Sequence, residues 1–458
     1  MFEAKFGQRS EGDPPRLKLD SGSRVAVIGG GPAGSFFTYF LLDMAERLAM
    51  DLRVDIYDPR DFSRPGPSGC NMCGGIVSES LVQILATEGI NLPPTVVQRG
   101  IDSYMLHMDV GSVRIETPLH EKRIASVHRG AGPRDAREMK WRSFDGFLRA
   151  LAMEKGAHSI QERVENISWE NGRPQIGTQG GSSGAYDLLV LATGVNASAP
   201  RLLRGLGLGY EPPLTTKAFI REYFFSEVAV AEHMGSSMHV FLFDLPRLEF
   251  AALVPKGDYV TMCMLGAEID TNLVQSFMSV PEVKRCFPKN IPLDKASCQC
   301  SPRMTIRGAT RPFADRVVFI GDCGETRLYK DGIGAAYRTA KAAATTAIFE
   351  GISAAHFRRH YLPVCRAIGA DNTIGKMVFA VTRQIQKRRF ARSAVLRMIR
   401  REQQEDDGPR RMSMVMWDIF TGSAPYREIF LRTLHPSFLS RFLWSMVAAI
   451  WPFDRSRT

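Results

Sequence analysis

One stretch near the start of the chain constrains the fold more than any other. Ser23 to Ile28 reads as a short buried strand, and Gly29-Gly30-Gly31-Pro32-Ala33-Gly34 follows it directly. The apolar stretch from Ser35 to Met50 then has the length and composition of a helix. A strand, a G-x-G-x-x-G turn and a helix in this order predict a dinucleotide-binding unit.

Each glycine of this turn has a separate task in such a unit. Gly29 permits the tight turn, Gly31 lets the backbone approach a pyrophosphate, and Gly34 lets the helix pack close to the strand. With Pro32 and Ala33 in the first turn, the helix start offers free N–H groups and a positive dipole to the phosphates. A second strand, Arg53 to Asp58, ends in an acid, and Asp58 is placed to bind a ribose hydroxyl.

Two later segments continue this pattern. Tyr186 to Gly194 reads as a buried strand ending in Ala-Thr-Gly, and Asp315 to Asp322 as another ending in Gly-Asp. A helix is predicted from Gly332 to about Ile348. With these segments the sequence resembles the FAD-dependent oxidoreductases of the glutathione-reductase-like and p-hydroxybenzoate-hydroxylase-like superfamily. More narrowly, residues 23 to 350 resemble the geranylgeranyl reductase family.

The resemblance implies FAD as the cofactor and assigns contacts to it. Asp322 would bind the ribityl chain, and Gly332 and Ile333 would point a helix N-terminus at the flavin, where its dipole stabilises negative charge on the reduced ring. Gly194, at the end of Ala-Thr-Gly, would lie at the same cofactor.

A further segment, Lys140 to Leu148, resembles the family's Arg-x-x-Phe-Asp-x-x-Leu helix. Ser143 can cap this helix and Gly156 can end it. The resemblance makes Arg142 an FAD contact, although a surface arginine before a helix is the plainer alternative. Val164, in the strand that follows, matches the position where the family's backbone holds adenine.

We therefore predict an α/β fold with a discontinuous Rossmann-like FAD-binding domain, an inserted antiparallel β-sheet substrate domain and a C-terminal helical region. The predicted bounds are 1–22 for a flexible N-terminus, 23–100, 126–200 and 306–350 for the FAD-binding domain, 101–125 and 201–305 for the substrate domain, and 351–458 for the helices.

The predicted substrate domain departs from the family at one place. The family carries Tyr-x-Trp-x-Phe-Pro-x-Gly where this chain has Phe250 to Gly257. Ala252 and Val254 replace the two inner aromatic residues, so either an indole-sized space opens beside the flavin or another side chain fills it. The pocket stays apolar, which favours an apolar or lipid-like substrate.

Eight cysteines without regular spacing do not predict a disulfide framework. The charged N-terminus lacks the apolar core of a signal peptide, which indicates a cytoplasmic, reducing location.

Cys70 and Cys73 lie in SGCNMCGG, and together with Cys298 and Cys300 they could hold a metal. A Cys70–Cys73 redox disulfide and purely structural thiols are the alternatives.

The resemblance favours another role for this loop, without a metal. Geranylgeranyl reductases carry a Cys-Gly-Gly-like loop beside the flavin, and Cys73-Gly74-Gly75 matches it. Glycines let the backbone curl over the ring, and a thiol there can give a proton to a double bond. Cys73 is the preferred catalytic residue, with Cys70 the second candidate.

Charge is concentrated at one end of the chain. The net charge is +11, and from Val381 onward fifteen lysines and arginines face seven acidic residues. This argues against a nucleic-acid-binding body and for a local basic surface.

The tail from Phe438 to Phe453 is apolar but shorter than the roughly 20 residues that span a bilayer. It fits a helix in the membrane interface, or one packed on the protein itself.

The predicted function is an FAD-dependent reductase that saturates C=C bonds of an isoprenoid or lipid-like substrate at the inner face of the membrane. The alternatives are a flavin monooxygenase of an apolar substrate and a non-catalytic flavin-binding redox partner. No second nucleotide fold is predicted, since Gly205 to Gly209 reads as a loop. The electron donor is therefore transiently bound NAD(P)H, ferredoxin or a quinol.

Overall fold

The structure is a computed structural model of the chain. It describes residues 17–70, 72–117, 124–136, 142–196, 202–203, 206–289, 291–292, 294–405 and 409–450. Most of the predicted N-terminal segment, the Lys140-Trp141 start of the Arg-x-x-Phe-Asp-x-x-Leu match and the tail from Trp451 onward lie outside these residues.

A six-stranded sheet forms around the predicted dinucleotide unit. Its strands lie in the order Phe313–Ala314, Val317–Phe319, Leu188–Leu191, Arg24–Ile28, Arg53–Tyr57 and His158–Ile160. All neighbours pair in parallel except the first two. The central strands are buried on both faces, which explains why their sequences read as continuous apolar runs.

Two layers cover this sheet. Helices lie on one face: Pro32–Arg47, Phe144–Glu154 and Gly332–Thr345. An antiparallel meander lies on the other: Val164–Glu170, Arg173–Thr178 and Gly181–Ser182. The predicted strands and helices of the dinucleotide unit are thereby confirmed. Two strands are shorter than predicted because the chain leaves the sheet after Leu191 and Phe319.

A second, seven-stranded sheet occupies the predicted substrate region. Its order is Cys298–Cys300, Phe219–Phe224, Tyr259–Gly266, Leu248–Lys256, Ser237–Phe241, Ser103–Met108 and Gly111–Glu116. The prediction that this sheet is antiparallel is wrong at one pair, because Ser237–Phe241 runs parallel to Ser103–Met108. The connection between these two strands passes through the other sheet, and a connection of that length can return the chain in either direction.

The smaller elements join the two large sheets. Three short strands form one sheet: Ile76–Val77, Ile124–Val127 and Val97–Ile101. Leu214–Lys217 pairs with Arg303–Arg307 in another. The hydroxyl of Ser126 donates a hydrogen bond to the carbonyl oxygen of Pro255 at 2.8 Å, which ties the three-stranded sheet to the seven-stranded one.

The two faces of the seven-stranded sheet pack against different helices. Short helices cover one face: Glu227–His233, Thr271–Ser279 and Pro281–Lys284. The C-terminal helices cover the other: Leu362–Gln386, Arg389–Gln404, Arg411–Thr421, Tyr426–Thr433 and Pro436–Ile450. Stacking of Tyr104 on Trp417, with ring centroids 5.5 Å apart, is one contact of this second core.

The remaining helical elements are Glu79–Thr87, Ala354–His356, a 3-10 turn at Gly321–Cys323 and π-helical turns at Thr346–Glu350 and Phe357–Tyr361. The helical C-terminal region is therefore confirmed from Ala354 to Ile450. Within the described ranges, no helix has the length and apolar character needed to cross a bilayer.

Candidate active site

The glycine-rich turn has the geometry that its sequence predicts. Gly29 has a φ of +108°, and a Cβ at this position would lie 2.4 Å from the carbonyl oxygen of Ala192. A Cβ at Gly34 would lie 1.9 Å from the carbonyl oxygen of Gly29. Since neither position has room for a side chain, the strand, the turn and the helix can approach one another only with glycine there. Gly31 caps the helix N-terminus and has no side chain to occupy its N–H groups.

Asp58 ends the second strand beside this turn. Its carboxylate is 1% exposed and accepts hydrogen bonds from the backbone N–H groups of Gly30 at 2.7 Å and Arg60 at 2.9 Å. These bonds fix the position of the turn. The Nε–H of Arg60 donates a third hydrogen bond to the carboxylate at 3.3 Å. A carboxylate has about four lone-pair sites, so one remains for the predicted ribose hydroxyl.

Asp322 and the start of the helix Gly332–Thr345 lie close together at the other end of the predicted site. A Cβ at Gly332 would be 4.0 Å from an oxygen of the Asp322 carboxylate. Burial raises the pKa of Asp322, while a hydrogen bond with Thr326 and the charge of Arg129 partly oppose this shift. The structure therefore brings together the two elements that the resemblance assigned to one cofactor.

The remaining predicted cofactor residues lie around the same sheet. Gly194 follows the strand Leu188–Leu191 with a φ of +68° and open space beside it. Val164 begins a strand of the meander and is buried. Ser143 caps the helix Phe144–Glu154 as predicted, accepting from the N–H of Gly146 at 3.0 Å. The side chain of Arg142 is exposed, and its FAD contact stays a prediction.

The SGCNMCGG loop lies between the FAD-type elements and the seven-stranded sheet. A Cβ at Gly75 would lie 1.9 Å from the carbonyl oxygen of Val127, and Gly75 has a φ of +70°. A Cβ at Gly74 would lie 3.0 Å from the sulfur of Cys263. The two glycines therefore let this loop approach both the three-stranded and the seven-stranded sheets.

Cys70 and Cys73 are both free thiols, so the structure contains no disulfide between them. The Cys73 sulfur accepts a hydrogen bond from the Gly75 N–H at 3.3 Å, and the Cys70 sulfur accepts one from Met72 at 3.2 Å. Burial raises the pKa of Cys70 and raises that of Cys300 to about 12. These two thiols therefore keep their protons at neutral pH.

Several thiols lie in this region, and a metal site formed by cysteines would need them close together. Cys70, Cys73 and Cys300 lie near enough to affect one another's charge. However, in the part of the chain that the structure describes, they do not form a group of three ligand atoms at metal-binding separation. The four-thiolate alternative therefore gains no support.

Arg129 is the residue at this site that the sequence analysis missed. It follows the strand Ile124–Val127, and its guanidinium donates to both carboxylate oxygens of Asp145, at 2.6 and 2.9 Å. The Cys73 thiol lies close to this guanidinium. Burial opposes the charge of Arg129, but Asp145 and Cys73 outweigh this effect and raise its pKa. A permanent cation therefore lies beside Cys73.

A second cation lies below the loop. Lys256 is 1% exposed, and its Nζ would be 2.9 Å from a Cβ at Gly75. Its partner is the Glu222 carboxylate, at 3.7 Å, which also accepts from Thr261. Burial and the Lys256 charge hold the pKa of His128 well below its usual range, so this ring is neutral. In the sequence, Lys256 is a single lysine before a Gly-Asp turn, and no motif around it indicates a buried cation at the site.

The two positions that depart from the family are buried. Ala252 and Val254 are 8% and 2% exposed and belong to the core that the C-terminal helices share with the seven-stranded sheet. Both alternatives, an indole-sized space beside the flavin and another side chain that fills it, stay predictions.

No family model matches the sequence, and no curated protein matches it. Solved structures do match. A geranylgeranyl bacteriochlorophyll reductase-like protein from Thermoplasma acidophilum is 14% identical, with 94% of this chain and 97% of that chain covered and a TM-score of 0.57. The halogenase PltM in complex with phloroglucinol and FAD is 12% identical, with coverages of 96% and 93% and a TM-score of 0.58.

A triple mutant of the flavin-dependent brominase Bmp2 is also similar. It is 14% identical, with coverages of 94% and 95% and a TM-score of 0.54. These coverages extend over nearly the whole chain. The resemblance stated from the sequence is thus confirmed at the level of the fold, and the chain has the fold shared by this reductase-like protein, the halogenase and the flavin-dependent brominase.

Proposed function

We propose that this chain is an FAD-dependent oxidoreductase that reduces carbon–carbon double bonds of an apolar, isoprenoid- or lipid-like substrate. The observation that carries the proposal is the Cys73 thiol, which lies beside the Arg129 cation in a loop whose glycines pack against both sheets. The likeness in fold to a reductase-like protein and to a halogenase in complex with FAD supports the cofactor.

The described residues fit FAD at both ends. The turn from Gly29 to Gly34 offers bare backbone and a free helix N-terminus to a pyrophosphate. At the flavin end, the carboxylate of Asp331 does not cap the helix that it precedes, because it pairs with Arg327 at 2.8 Å and Arg338 at 3.0 Å. The N–H groups of that helix are thus free to face a ligand.

Bound FAD would supply the hydride once it is reduced. The chain itself supplies the proton, which Cys73 gives to the other carbon of the double bond. The thiolate left behind lies beside the Arg129 guanidinium, which stabilises the negative charge until water returns a proton. Cys70, whose buried thiol keeps its proton, is the second candidate donor.

An oxygen-dependent reaction is the competing function on this fold. The structural neighbours include a peptidyl tryptophan dihydroxylase, QhpG, 16% identical with a TM-score of 0.54. Such a reaction would need oxygen, whereas a reductase would not.

Anaerobic turnover therefore tests the proposal. The full chain, loaded with FAD and photoreduced without oxygen, is incubated with a lipid extract, and mass spectrometry is used to search for gains of two hydrogens. We expect a product two hydrogens heavier and reoxidation of the flavin. Product formation only when oxygen is admitted would replace the reductase with a monooxygenase, and no reoxidation by any extract would favour a non-catalytic redox partner.

We further propose that the final helix contacts an anionic membrane surface. One side of Pro436–Ile450 packs on the protein through Phe438 and Ser445. The other side exposes an apolar row: Leu439, Leu443, Trp444, Val447 and Ile450. The exposed fraction of Trp444 is 65%, which is unusual for a tryptophan unless a partner covers it.

Charge favours a membrane as that partner. The helix Arg389–Gln404, on which the final helix packs, exposes Arg400 and Arg401. Arg392 of the same helix does not add to this basic surface, because it is buried in an ion pair with Asp109 at 2.5 Å. Basic residues beside an apolar helix face are the features that anionic lipid attracts.

A further inference from the structure

On the far face of the seven-stranded sheet, three side chains from distant parts of the chain converge. His107 lies on the strand Ser103–Met108, His239 on the strand Ser237–Phe241, and Cys286 in the turn after the helix Pro281–Lys284. All three are buried, with exposures of 8%, 8% and 6%. Their ligand atoms lie within 4.8 Å of one another.

This cluster is separate from the candidate active site. Successive side chains of a strand point to opposite faces of a sheet. Leu253, which pairs with His239, packs in the core under the short helices, whereas Ala252 packs in the core on the other face. The proposed oxidoreductase reaction therefore gives these three residues no role.

The contacts within the cluster exceed what hydrogen bonding accounts for. The Nδ1 of His239 lies 2.9 Å from the Nε2 of His107 and 3.2 Å from the sulfur of Cys286. One ring nitrogen offers either a single proton or a single lone pair, so it can make one good hydrogen bond. The sulfur of Cys286 also lies 3.3 Å from the carbonyl oxygen of Glu282, which can accept its proton. Two imidazole nitrogens and a thiol whose ligand atoms lie within 4.8 Å of one another form the donor set of a metal centre.

We propose that His107, His239 and Cys286 bind a zinc ion. The donor set of two imidazoles and one thiolate suits zinc, which prefers nitrogen and sulfur ligands in tetrahedral geometry. At usual bond lengths, two nitrogen ligands lie about 3.3 Å apart and a nitrogen and a sulfur about 3.6 Å. The atoms would therefore separate by about 0.4 Å on binding.

The surroundings also match a zinc site. The second nitrogen of His107 lies 2.8 Å from the hydroxyl of Ser112, the kind of outer contact that fixes a ligating ring. Binding would release the Cys286 proton to solvent as the Zn–S bond forms.

Zinc in this position would join two strands to a turn. Two of its ligands come from the parallel strand pair and the third from the segment that follows the short helices. Because an ion that binds the folded chain stabilises it, zinc would protect this part of the sheet from unfolding.

Metal binding to the full chain tests the proposal. Protein treated with a chelator is titrated with Co²⁺, which reports thiolate coordination by charge-transfer absorption, and then with Zn²⁺. We expect one equivalent of each ion, displacement of Co²⁺ by Zn²⁺, and a higher melting temperature with Zn²⁺. Cys286→Ser should abolish the thiolate absorption and the thermal shift, whereas Cys365→Ser, which changes a buried cysteine elsewhere, should keep both.

A milder variant guards against misfolding. Ser112→Ala leaves all three ligands in place but removes the contact to His107, and it should weaken zinc binding by about tenfold. The proposal is overturned if the unaltered chain does not bind one equivalent of Zn²⁺. It is also overturned if Cys286→Ser binds Zn²⁺ as tightly as the unaltered chain does.

Discussion

The guanidinium of Arg129 donates hydrogen bonds to both carboxylate oxygens of Asp145, at 2.6 and 2.9 Å, and the thiol of Cys73 lies close to the same guanidinium. This arrangement places one half-buried cation between a loop cysteine and the helix Phe144–Glu154. The sulfur of Cys70, only three positions away, accepts a hydrogen bond from the N–H of Met72, and burial raises the pKa of its thiol. The two cysteines of one short loop therefore have different environments.

Cys73→Ser should lower double-bond reduction far more than Cys70→Ser. We expect a loss of about 100-fold, the range that removal of a positioned proton donor produces, against a change within a few-fold for Cys70→Ser. Product formation in the anaerobic assay measures both. Equal losses in the two variants would mean that the thiols act as a pair.

Breaking the ion pair between Arg129 and the buried Asp145 should destabilise the fold. Asp145→Asn leaves a half-buried guanidinium short of its counter-charge, and we expect a loss of about 3 kcal/mol in the free energy of unfolding. Asp43→Asn, which removes a half-buried partner of the exposed Arg47 and of Lys155, is the control and should cost about 1 kcal/mol or less. Urea unfolding followed by circular dichroism compares them, and similar costs would show that the buried pair has no special weight.

Gly29→Ala should abolish FAD binding. The added Cβ would collide with the carbonyl oxygen of Ala192 and displace the turn. Gly172→Ala is a suitable control, since Gly172 also has a positive φ, +73°, but no atom lies within 4 Å of the added Cβ. Flavin absorbance after reconstitution measures the outcome. Retention of FAD by Gly29→Ala would place the cofactor elsewhere.

Leu443→Ser combined with Trp444→Ser should weaken binding to vesicles that contain anionic lipid. Both side chains belong to the exposed row of the final helix. Val228→Ser changes another exposed apolar residue, on a different helix, and should leave binding unchanged. Co-sedimentation at low and high salt measures binding, and added salt should weaken it by screening the arginines. Equal binding by the double variant and the unaltered chain would exclude the helix as the contact.

Glu325 should make stability fall as pH rises. Burial raises the pKa of its carboxyl to about 7, partly opposed by hydrogen bonds from the Thr326 N–H and Asn372. Between pH 4.5 and 7 the folded chain then holds a proton that the unfolded chain releases, so each increase in pH over this range lowers the free energy of unfolding. The full effect is up to about 3 kcal/mol.

Glu325→Gln should remove this dependence. The variant should gain stability over the unaltered chain at pH 8 and show no such gain at pH 4, where the carboxyl is protonated in both states. Thermal unfolding across this range provides the measurement. A constant difference between the two proteins at all pH values would contradict the raised pKa.

The parts of the fold that the sequence predicted are those encoded over short distances. The turn from Gly29 to Gly34 needs glycine because a Cβ would strike nearby backbone, and Ser143 caps its helix three residues away. The parallel pairing of Ser237–Phe241 with Ser103–Met108 was missed, since nothing local to either strand sets the direction of its partner.

The candidate site divides in the same way. Cys73, Asp58 and Asp322 stand at positions that a motif marks, whereas Arg129 and Lys256 are single charged residues with no motif around them. Their burial depends on partners far along the chain, Asp145 for one and Glu222 for the other. Only the folded structure shows that these charges are enclosed.

The parallel strand pair also has a consequence for how the chain is made. Ser103–Met108 and Gly111–Glu116 form a hairpin soon after they are synthesised, but the strand that covers the outer edge of Ser103–Met108 arrives only with Ser237–Phe241. During that interval the nascent hairpin presents unpaired N–H and C=O groups, which is the feature of an edge that recruits other chains. Slow synthesis between these segments should therefore increase misassembly, and a holding chaperone should be of most use in that window.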